Sequence, residues 1–276
     1  MNISAIIIAF NPLLKELFGN ILTYSSQVSQ VVIVDNSTDL TIKEKIQESC
    51  TNRNIDYLDM RGNKGVATAL NAGFDYVMLN GADWVLTMDQ DSCFVSSIEG
   101  YKSYILNQDV SKILLLAPIY HFYNLKQFSS NEITHPDIVI QSGCLVNVQN
   151  YLNIGTYRDD FFIDFVDYEY CLRGKSHNLI LSQVHSVVLK HALGDDTTVH
   201  FLGLKYNYSS SSPIRYYYMI RNGLATAFIY YNILCVKIVV KTIARVVLFE
   251  DNKKEKLKFI LKGGINLLNS KYYKLS

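Results

Sequence analysis

The chain has 276 residues, 49% of them hydrophobic and 18% charged, with only 4 Pro and 14 Gly. That composition excludes a disordered or collagen-like polymer and leaves ample length for a buried core. Its net charge of +1 conceals a break, because residues 1–199 carry 13 Lys+Arg against 22 Asp+Glu and residues 200–276 carry 13 against 3. An acidic body is followed by a strongly basic tail. The five cysteines, Cys50, Cys93, Cys144, Cys171 and Cys235, form no C-x-x-C pair, which argues against a disulfide framework or a zinc cage and for a reducing, cytosolic setting.

The first residues run straight into Ile3, Ala5, Ile6, Ile7 and Ile8, without the basic region and cleavage site of a secretory signal, and read as a first strand. Continuous apolar runs at 5–10, 31–34, 84–88 and 113–117 suit strands covered on both faces, as in a parallel sheet between helices. Between them, Leu13, Leu14, Leu17, Phe18, Ile21 and Leu22 form one helical stripe, and Val66, Leu70, Phe74, Val77 and Met78 another. This alternation predicts an α/β nucleotide-binding sheet. From Ile138 the pattern loosens into runs at 138–140, 144–148 and 179–190, with an acidic and aromatic segment between them that reads as an acceptor-side half of the same sheet. Further on, a long apolar stretch from Leu224 to Phe249 is interrupted by Lys237, Lys241 and Arg245 on one helical face, and Lys253, Lys254, Lys256, Lys258 and Lys262 follow. A basic amphipathic helix of this kind suits an anionic membrane surface; the alternative is a helix pair packed on the domain with a solvated basic face.

The strongest local feature is Asp89-Gln90-Asp91, placed directly after the apolar run 84–88. Carboxylates at the C-terminal end of a buried strand point to the crevice where open α/β sheets bind ligands, and they offer the hard oxygen ligands that Mg²⁺ or Mn²⁺ takes. Asp35 ends another strand at the same edge, either to meet a base or sugar or to form a turn. Arg61-Gly62-Asn63-Lys64-Gly65 opens a helix and lacks both the G-x-G-x-x-G and the Walker patterns, so neither a nicotinamide enzyme nor an ATPase is indicated. A second acidic cluster, Asp164, Asp167 and Glu169, is embedded among aromatic and aliphatic residues, and a helix starting near Asp164 would carry Asp167 one turn further. His191 follows another apolar run, and its imidazole suits a third metal ligand as well as it suits an ordinary surface or core histidine. Tyr120, Phe122, Tyr123 and Trp84 suit either sugar stacking or the core.

In order, Asp35-Asn36-Ser37, Asn63-Lys64-Gly65 with Asn71-Ala72-Gly73, Asp89-Gln90-Asp91, Ser142-Gly143, Asp167-Tyr168-Glu169 and His191 resemble the inverting family 2 glycosyltransferases. The texture is closest to their bacterial rhamnosyltransferase branch, which Phe162-Ile163-Asp164 through Arg173 and Ser212-Pro213-Ile214-Arg215 through Arg221-Asn222 also resemble, with a similarity to galactofuranosyltransferases. The resemblance covers roughly residues 2–222 and implies a GT-A fold over residues 1–214; it thins in the basic tail 215–276, which the charge pattern reads as a helical, membrane-associating region. It implies a nucleotide-sugar donor with Asp35 near the base and Asp89 near the ribose, and Asp91 and His191 on Mn²⁺ or Mg²⁺ at the diphosphate. Asn63, Gly65, Ser142, Gly143, Asp164 and Glu169 fall at substrate-binding positions. Asp167 would be the base, with Asp164 and Glu169 its rivals. The implied acceptor is a polyprenyl-linked surface polysaccharide of O-antigen or capsule type at the inner face of the cell membrane, with dTDP-L-rhamnose as the favoured donor and no nucleic-acid partner. A galactofuranosyltransferase or other hexosyltransferase is the nearest alternative. A sugar nucleotidyltransferase is disfavoured because Ala9-Phe10-Asn11-Pro12-Leu13 stands where a glycine-rich triphosphate loop would be, and a non-catalytic nucleotide-sugar-binding subunit is disfavoured by retention of Asp91, Asp167 and His191.

Overall fold

The computed structural model describes residues 1–121, 130, 132–191, 196–201 and 204–268. The chain divides into two compact units, residues 1–157 with 170–192, and residues 158–169 with 193–276.

The first unit is built on one nine-stranded sheet. Strands β1 (Ile3–Ala9), β2 (Gln30–Asp35), β3 (Asp56–Asp59) and β4 (Trp84–Asp89) lie in the order β3-β2-β1-β4, all parallel. Helices α1 (Leu14–Ile21), α2 (Leu40–Thr51) and α3 (Val66–Leu79) connect them. Every residue of β1 is buried, which accounts for its unbroken apolar run: Ile3, Ala5 and Ile7 pack in one cluster with Leu17, Phe18 and Ile21 of α1. The other face meets α3, where a Cβ added at Gly73 would come within 3.1 Å of Ile6 Cδ1 and 3.0 Å of Val34 Cγ2. A side chain at Gly73 would have to displace those methyl groups by a few tenths of an ångström.

The sheet continues through β5 (Ser92–Phe94), β6 (Ile113–His121), β7 (Ile133–Thr134), β8 (Cys144–Asn147) and β9 (Ile180–His191), with α4 (Glu99–Asn107), α5 (Val148–Ile154) and α6 (Val166–Ser176) between them. Strand β8 runs antiparallel between β4 and β6; β9 is parallel to β6 and antiparallel to β5 and β7. Parallel registers account for most of the paired positions, as the sequence predicts. Ala9 pairs with Asp35 and Ile8 with Asp89, so both acids end strands at one edge of the sheet. Ser92 pairs with His191, which brings the end of β9 to the residue after Asp91.

The second unit holds the antiparallel pair β10 (Asp196–Phe201) and β11 (Leu204–Ser209) and three helices, α7 (Pro213–Tyr230), α8 (Ile233–Leu248) and α9 (Lys253–Leu268). The apolar stretch 224–249 is therefore not one helix. Tyr231 adopts a left-handed backbone at φ 50° and ends α7, and the Asn232 side chain accepts a hydrogen bond from the Cys235 N–H to cap α8. No helix among the described residues is long and apolar enough to cross a membrane.

A buried ionic cluster ties the second unit together and corrects the reading of the basic tail. Glu250 is fully buried and accepts from Arg245 Nε (2.8 Å), Lys256 Nζ (2.8 Å), Ser210 Oγ (3.0 Å) and the Tyr216 hydroxyl (2.6 Å). Arg245 and Lys256 are thus internal partners of one carboxylate and do not belong to a free basic face. Burial alone would raise the Glu250 pKa, but the hydrogen bonds from Lys256, Tyr216 and Ser210 and the Lys256 charge outweigh it and hold the carboxyl below its ordinary value. Glu250→Gln strands two cations and is expected to cost about 3 kcal/mol. Because the folded chain binds this proton less readily than the unfolded chain, the contribution is complete above roughly pH 4.3 and is lost as pH falls through the lower folded value. Thermal melts against pH should show the gap between wild type and Glu250→Gln closing in acid; a gap that stays constant would contradict the assignment.

Candidate active site

At the edge where β4 ends, Asp89 is fixed from two sides. Its backbone N–H donates to Ser142 Oγ (3.1 Å), and its Oδ1 accepts from Gln141 Nε2 (2.8 Å). The 141–143 segment is itself bonded to β4: Thr87 Oγ1 donates to the Gln141 carbonyl (2.6 Å), and the Gly143 N–H donates to the Thr87 carbonyl (2.7 Å). Gly143 sits at φ +81°, and a Cβ there would lie 2.9 Å from both Leu189 Cδ2 and Pro118 Cγ. Gly143→Ala is therefore expected to lose about 2–4 kcal/mol from backbone strain and overpacking, measurable as a lower midpoint of denaturant unfolding.

Past Asp89 the chain turns through Gln90 and Asp91 into β5, and the β5–β9 register delivers His191. His191 Nδ1 lies 2.6 Å from Ser92 Oγ and 3.9 Å from Asp91 Oδ1. Asp89, Asp91 and His191 each offer a ligand atom, and these atoms lie within 4.8 Å of one another. The Asp91 side chain is 47% exposed and that of His191 18%, so the group opens to solvent. Two hard carboxylates and an imidazole at this spacing are a donor set that Mn²⁺ or Mg²⁺ accepts. The sequence reading paired Asp91 with His191; Asp89 joins them.

Beside this edge, Asp35 is fully buried, its Oδ1 accepting the Ser37 N–H (2.9 Å) and its Oδ2 the Tyr57 hydroxyl (2.8 Å). Burial and the bond to Asp35 push the Tyr57 phenol above its ordinary value. The turn-forming role left open for Asp35 is thus present in its bond to Ser37. Asn36 locks the neighbouring turn, donating to the Gly65 carbonyl (2.9 Å) and accepting the Lys64 N–H (3.0 Å), while Asn63 Oδ1 accepts the Gly65 N–H (3.0 Å). Asp35, Asn63, Gly65, Asp89, Asp91, Ser142, Gly143 and His191 all belong to the first unit.

Asp164, Asp167 and Glu169 belong to the second. Helix α6 starts at Val166, near Asp164 as the sequence predicts, after Phe162, Asp164 and Phe165 have all adopted positive φ at 61–63°. Three such non-glycine residues in a row of four are costly and persist only when other groups hold them. Asn222 does so, its side-chain amide donating to the carbonyls of Phe161 (2.8 Å), Ile163 (2.9 Å) and Asp164 (2.9 Å). Fully buried Arg221 adds a bond to the Asp160 carbonyl. All three candidates for the base are bonded, Asp167 Oδ1 accepting the Tyr168 N–H (2.9 Å). Arg215 grips Asp164 with bonds of 3.0–3.2 Å, and buried Glu169 accepts from the Tyr230 hydroxyl (2.7 Å). Burial pushes the Asp164 carboxyl above its ordinary value, against the lowering pull of Arg215. Asp167 stands half-buried in the first turn of α6.

Ser92, Gln141 and Tyr230 carry no signal of their own in the sequence, and Arg215, Arg221 and Asn222 enter there only as part of a resemblance. Trp84 is a buried core residue, and the Tyr120 hydroxyl donates to the Ile140 carbonyl (2.7 Å) with its ring against the core. Phe122, Tyr123 and residues 192–195 lie outside the described residues.

Comparison with known proteins identifies the family and the fold. The family model for Glycosyl transferase family 2 matches residues 4–97, the segment that carries β1 to β5 and Asp91. The chain is 30% identical over 240 residues to the dTDP-rhamnosyl transferase RfbF of Shigella flexneri, an alignment covering 80% of this chain and 78% of that protein. Among solved structures, GalNAc-T7 with UDP, GalNAc and Mn²⁺ superposes with a TM-score of 0.64 at 11% identity, covering 95% of this chain and 54% of that one, so the chain spans about half its length. Residues 1–349 of TarS from S. aureus in complex with UDP-GlcNAc superpose with a TM-score of 0.59 at 14% identity, covering 97% of this chain and 81% of that one. These two likenesses concern the fold, which is the GT-A type that the sequence predicts. With the identity to RfbF spanning most of both chains, and with the matched segment carrying the acidic strand end, the chain belongs to the family 2 glycosyltransferases and is a glycosyltransferase.

Proposed function

We propose that the chain is an inverting, metal-dependent rhamnosyltransferase that moves L-rhamnose from dTDP-L-rhamnose to a hydroxyl of a polyprenyl-linked surface polysaccharide of O-antigen or capsule type. The observation that carries the metal-dependent reading is the grouping of Asp89, Asp91 and His191 at the C-terminal edge of the sheet. The choice of donor rests on the similarity to a dTDP-rhamnosyl transferase. Residues 1–214 would form the catalytic part and 215–276 a helical region working at the inner face of the membrane.

In this reading Asp91 and His191, with Asp89 beside them, would hold Mn²⁺ or Mg²⁺, and the ion would supply neutralisation of the charge on the leaving diphosphate. The Ser92 hydroxyl, 2.6 Å from His191 Nδ1, would orient the imidazole. Asp35 and the Asn63–Gly65 turn receive the base, Asp89 approaches the ribose, and Ser142 and Gly143 keep the end of β4 in place. Asp167 takes the proton of the acceptor hydroxyl as that oxygen bonds to the anomeric carbon. The bond from this carbon to the diphosphate breaks on the opposite face, the nucleoside diphosphate leaves with the electron pair, and the configuration inverts. Asp164, gripped by Arg215, and Glu169, bonded by Tyr230, flank the base at substrate-binding positions.

The test compares dTDP-L-rhamnose, UDP-galactofuranose and UDP-glucose as donors for the purified chain, each with and without Mn²⁺. Metal-dependent release of dTDP alone is the expected result. Release of UDP from UDP-galactofuranose alone would replace the donor with that of the galactofuranosyl alternative. Binding of every donor without release, in the presence of lipid-linked acceptor, would mean a nucleotide-sugar-binding subunit.

A further inference from the structure

Helix α8 is apolar on both sides. Cys235, Val239, Thr242 and Val246 make its buried side. At about 100° per residue, Ile233, Val240 and Val247 follow one another along the opposite side, with Leu234 and Leu248 at its margin. These five large aliphatics are 45–66% exposed. A surface helix of a soluble domain ordinarily turns polar residues outward. Here the only charges on the outward arc are Lys237 and Lys241, both exposed, and α8 contains no acidic residue. Just before α8, Phe228 is 65% and Tyr231 94% exposed. Helix α9 repeats the pattern: Leu261, Ile265 and Leu268 are exposed on the arc that also carries Lys254, Lys258 and Lys262.

We infer that the outward faces of α8 and α9 are a docking surface for an anionic lipid bilayer, which deepens the reading that the acceptor is held in a membrane. Charge selects this occupant. A bilayer with anionic headgroups satisfies the exposed lysines while the aliphatic side chains enter the acyl boundary, and long lysine stems accommodate both. A second copy presenting the same faces would set lysine against lysine. Arg245 and Lys256 take no part, since Glu250 holds both. The helices lie on the surface and do not span it, in keeping with the absence of a membrane-crossing helix among the described residues.

The full chain should co-sediment with phosphatidylglycerol-containing vesicles, bind phosphatidylcholine vesicles far more weakly, and release from the former as salt rises. The double variant Lys237→Gln/Lys241→Gln should bind the anionic vesicles roughly thirty-fold more weakly. Val240→Ser/Val247→Ser should also weaken binding, and both variants should keep wild-type melting temperature and donor turnover in solution. Wild-type chain that ignores anionic vesicles, or binds both compositions equally, would overturn the inference. So would a stable dimer in solution that Val240→Ser/Val247→Ser splits, which would make a second copy the occupant. A chain that binds anionic vesicles through these residues yet releases no nucleotide from any donor would keep the surface and sink the transferase reading of the acceptor.

Discussion

Asp91→Ala is expected to lower metal-dependent nucleotide release on the order of 10³-fold, while the chain keeps its fold. The expectation follows from geometry and exposure. Asp91 lies in the turn between β4 and β5 with a side chain 47% exposed, so the structure spends none of its core on it. Removing it deprives the Asp89–His191 pair of a hard oxygen ligand, and positioned charge stabilisation at a leaving group is among the largest single contributions to a transfer reaction. Circular dichroism and melting temperature should match wild type, and titration calorimetry should show weakened Mn²⁺ binding in the presence of dTDP. Full activity in the variant would remove Asp91 from the site.

The second large effect concerns the base. Asp167→Ala is expected to reduce kcat by roughly 10²–10⁴-fold with little change in donor affinity, because the role proposed for the residue is on the acceptor hydroxyl and not on the nucleotide. The rivals should behave differently. Asp164→Asn gives up the grip of Arg215 at 3.0–3.2 Å, and Glu169→Gln disturbs a buried bond to Tyr230, so both should lower stability as well as rate. Steady-state kinetics beside melts on the three variants separate these outcomes. A kcat loss in Glu169→Gln exceeding that of Asp167→Ala at unchanged stability would transfer the role to Glu169.

Much of the sheet was legible because its physics is local. Runs such as Ile3–Ala9 and Trp84–Asp89 are covered on both faces and so read as unbroken apolar segments. The short edge strand β3, of sequence Asp-Tyr-Leu-Asp, and α2, with only Ile46 and Cys50 buried, carry too little apolar pattern to be seen. At 138–140, where the apolar pattern loosens, the chain leads into β8 at Cys144. The candidate site was legible at Asp89 and Asp91, which end a strong strand. His191 lies 100 residues beyond Asp91, and only the β5–β9 register brings it back.

What stayed hidden depends on distant partners. Nothing in Phe162-Ile163-Asp164-Phe165 announces three left-handed backbones, since no glycine is there. The conformation is held by Asn222 and Arg221, more than 50 residues downstream. The basic tail misleads for the same reason. Arg245 and Lys256 fit a solvated stripe by spacing, and only the fold shows that both turn inward to Glu250.

The central claim is that Asp89, Asp91 and His191 support metal-dependent transfer with inversion. Its most direct measurement is nuclear magnetic resonance of the product formed from dTDP-L-rhamnose and a lipid-linked acceptor, with Mn²⁺ present and then chelated. The account predicts a rhamnosyl product with anomeric configuration opposite to that of the donor and loss of turnover on chelation. Retained configuration, or undiminished turnover without the ion, would contradict it.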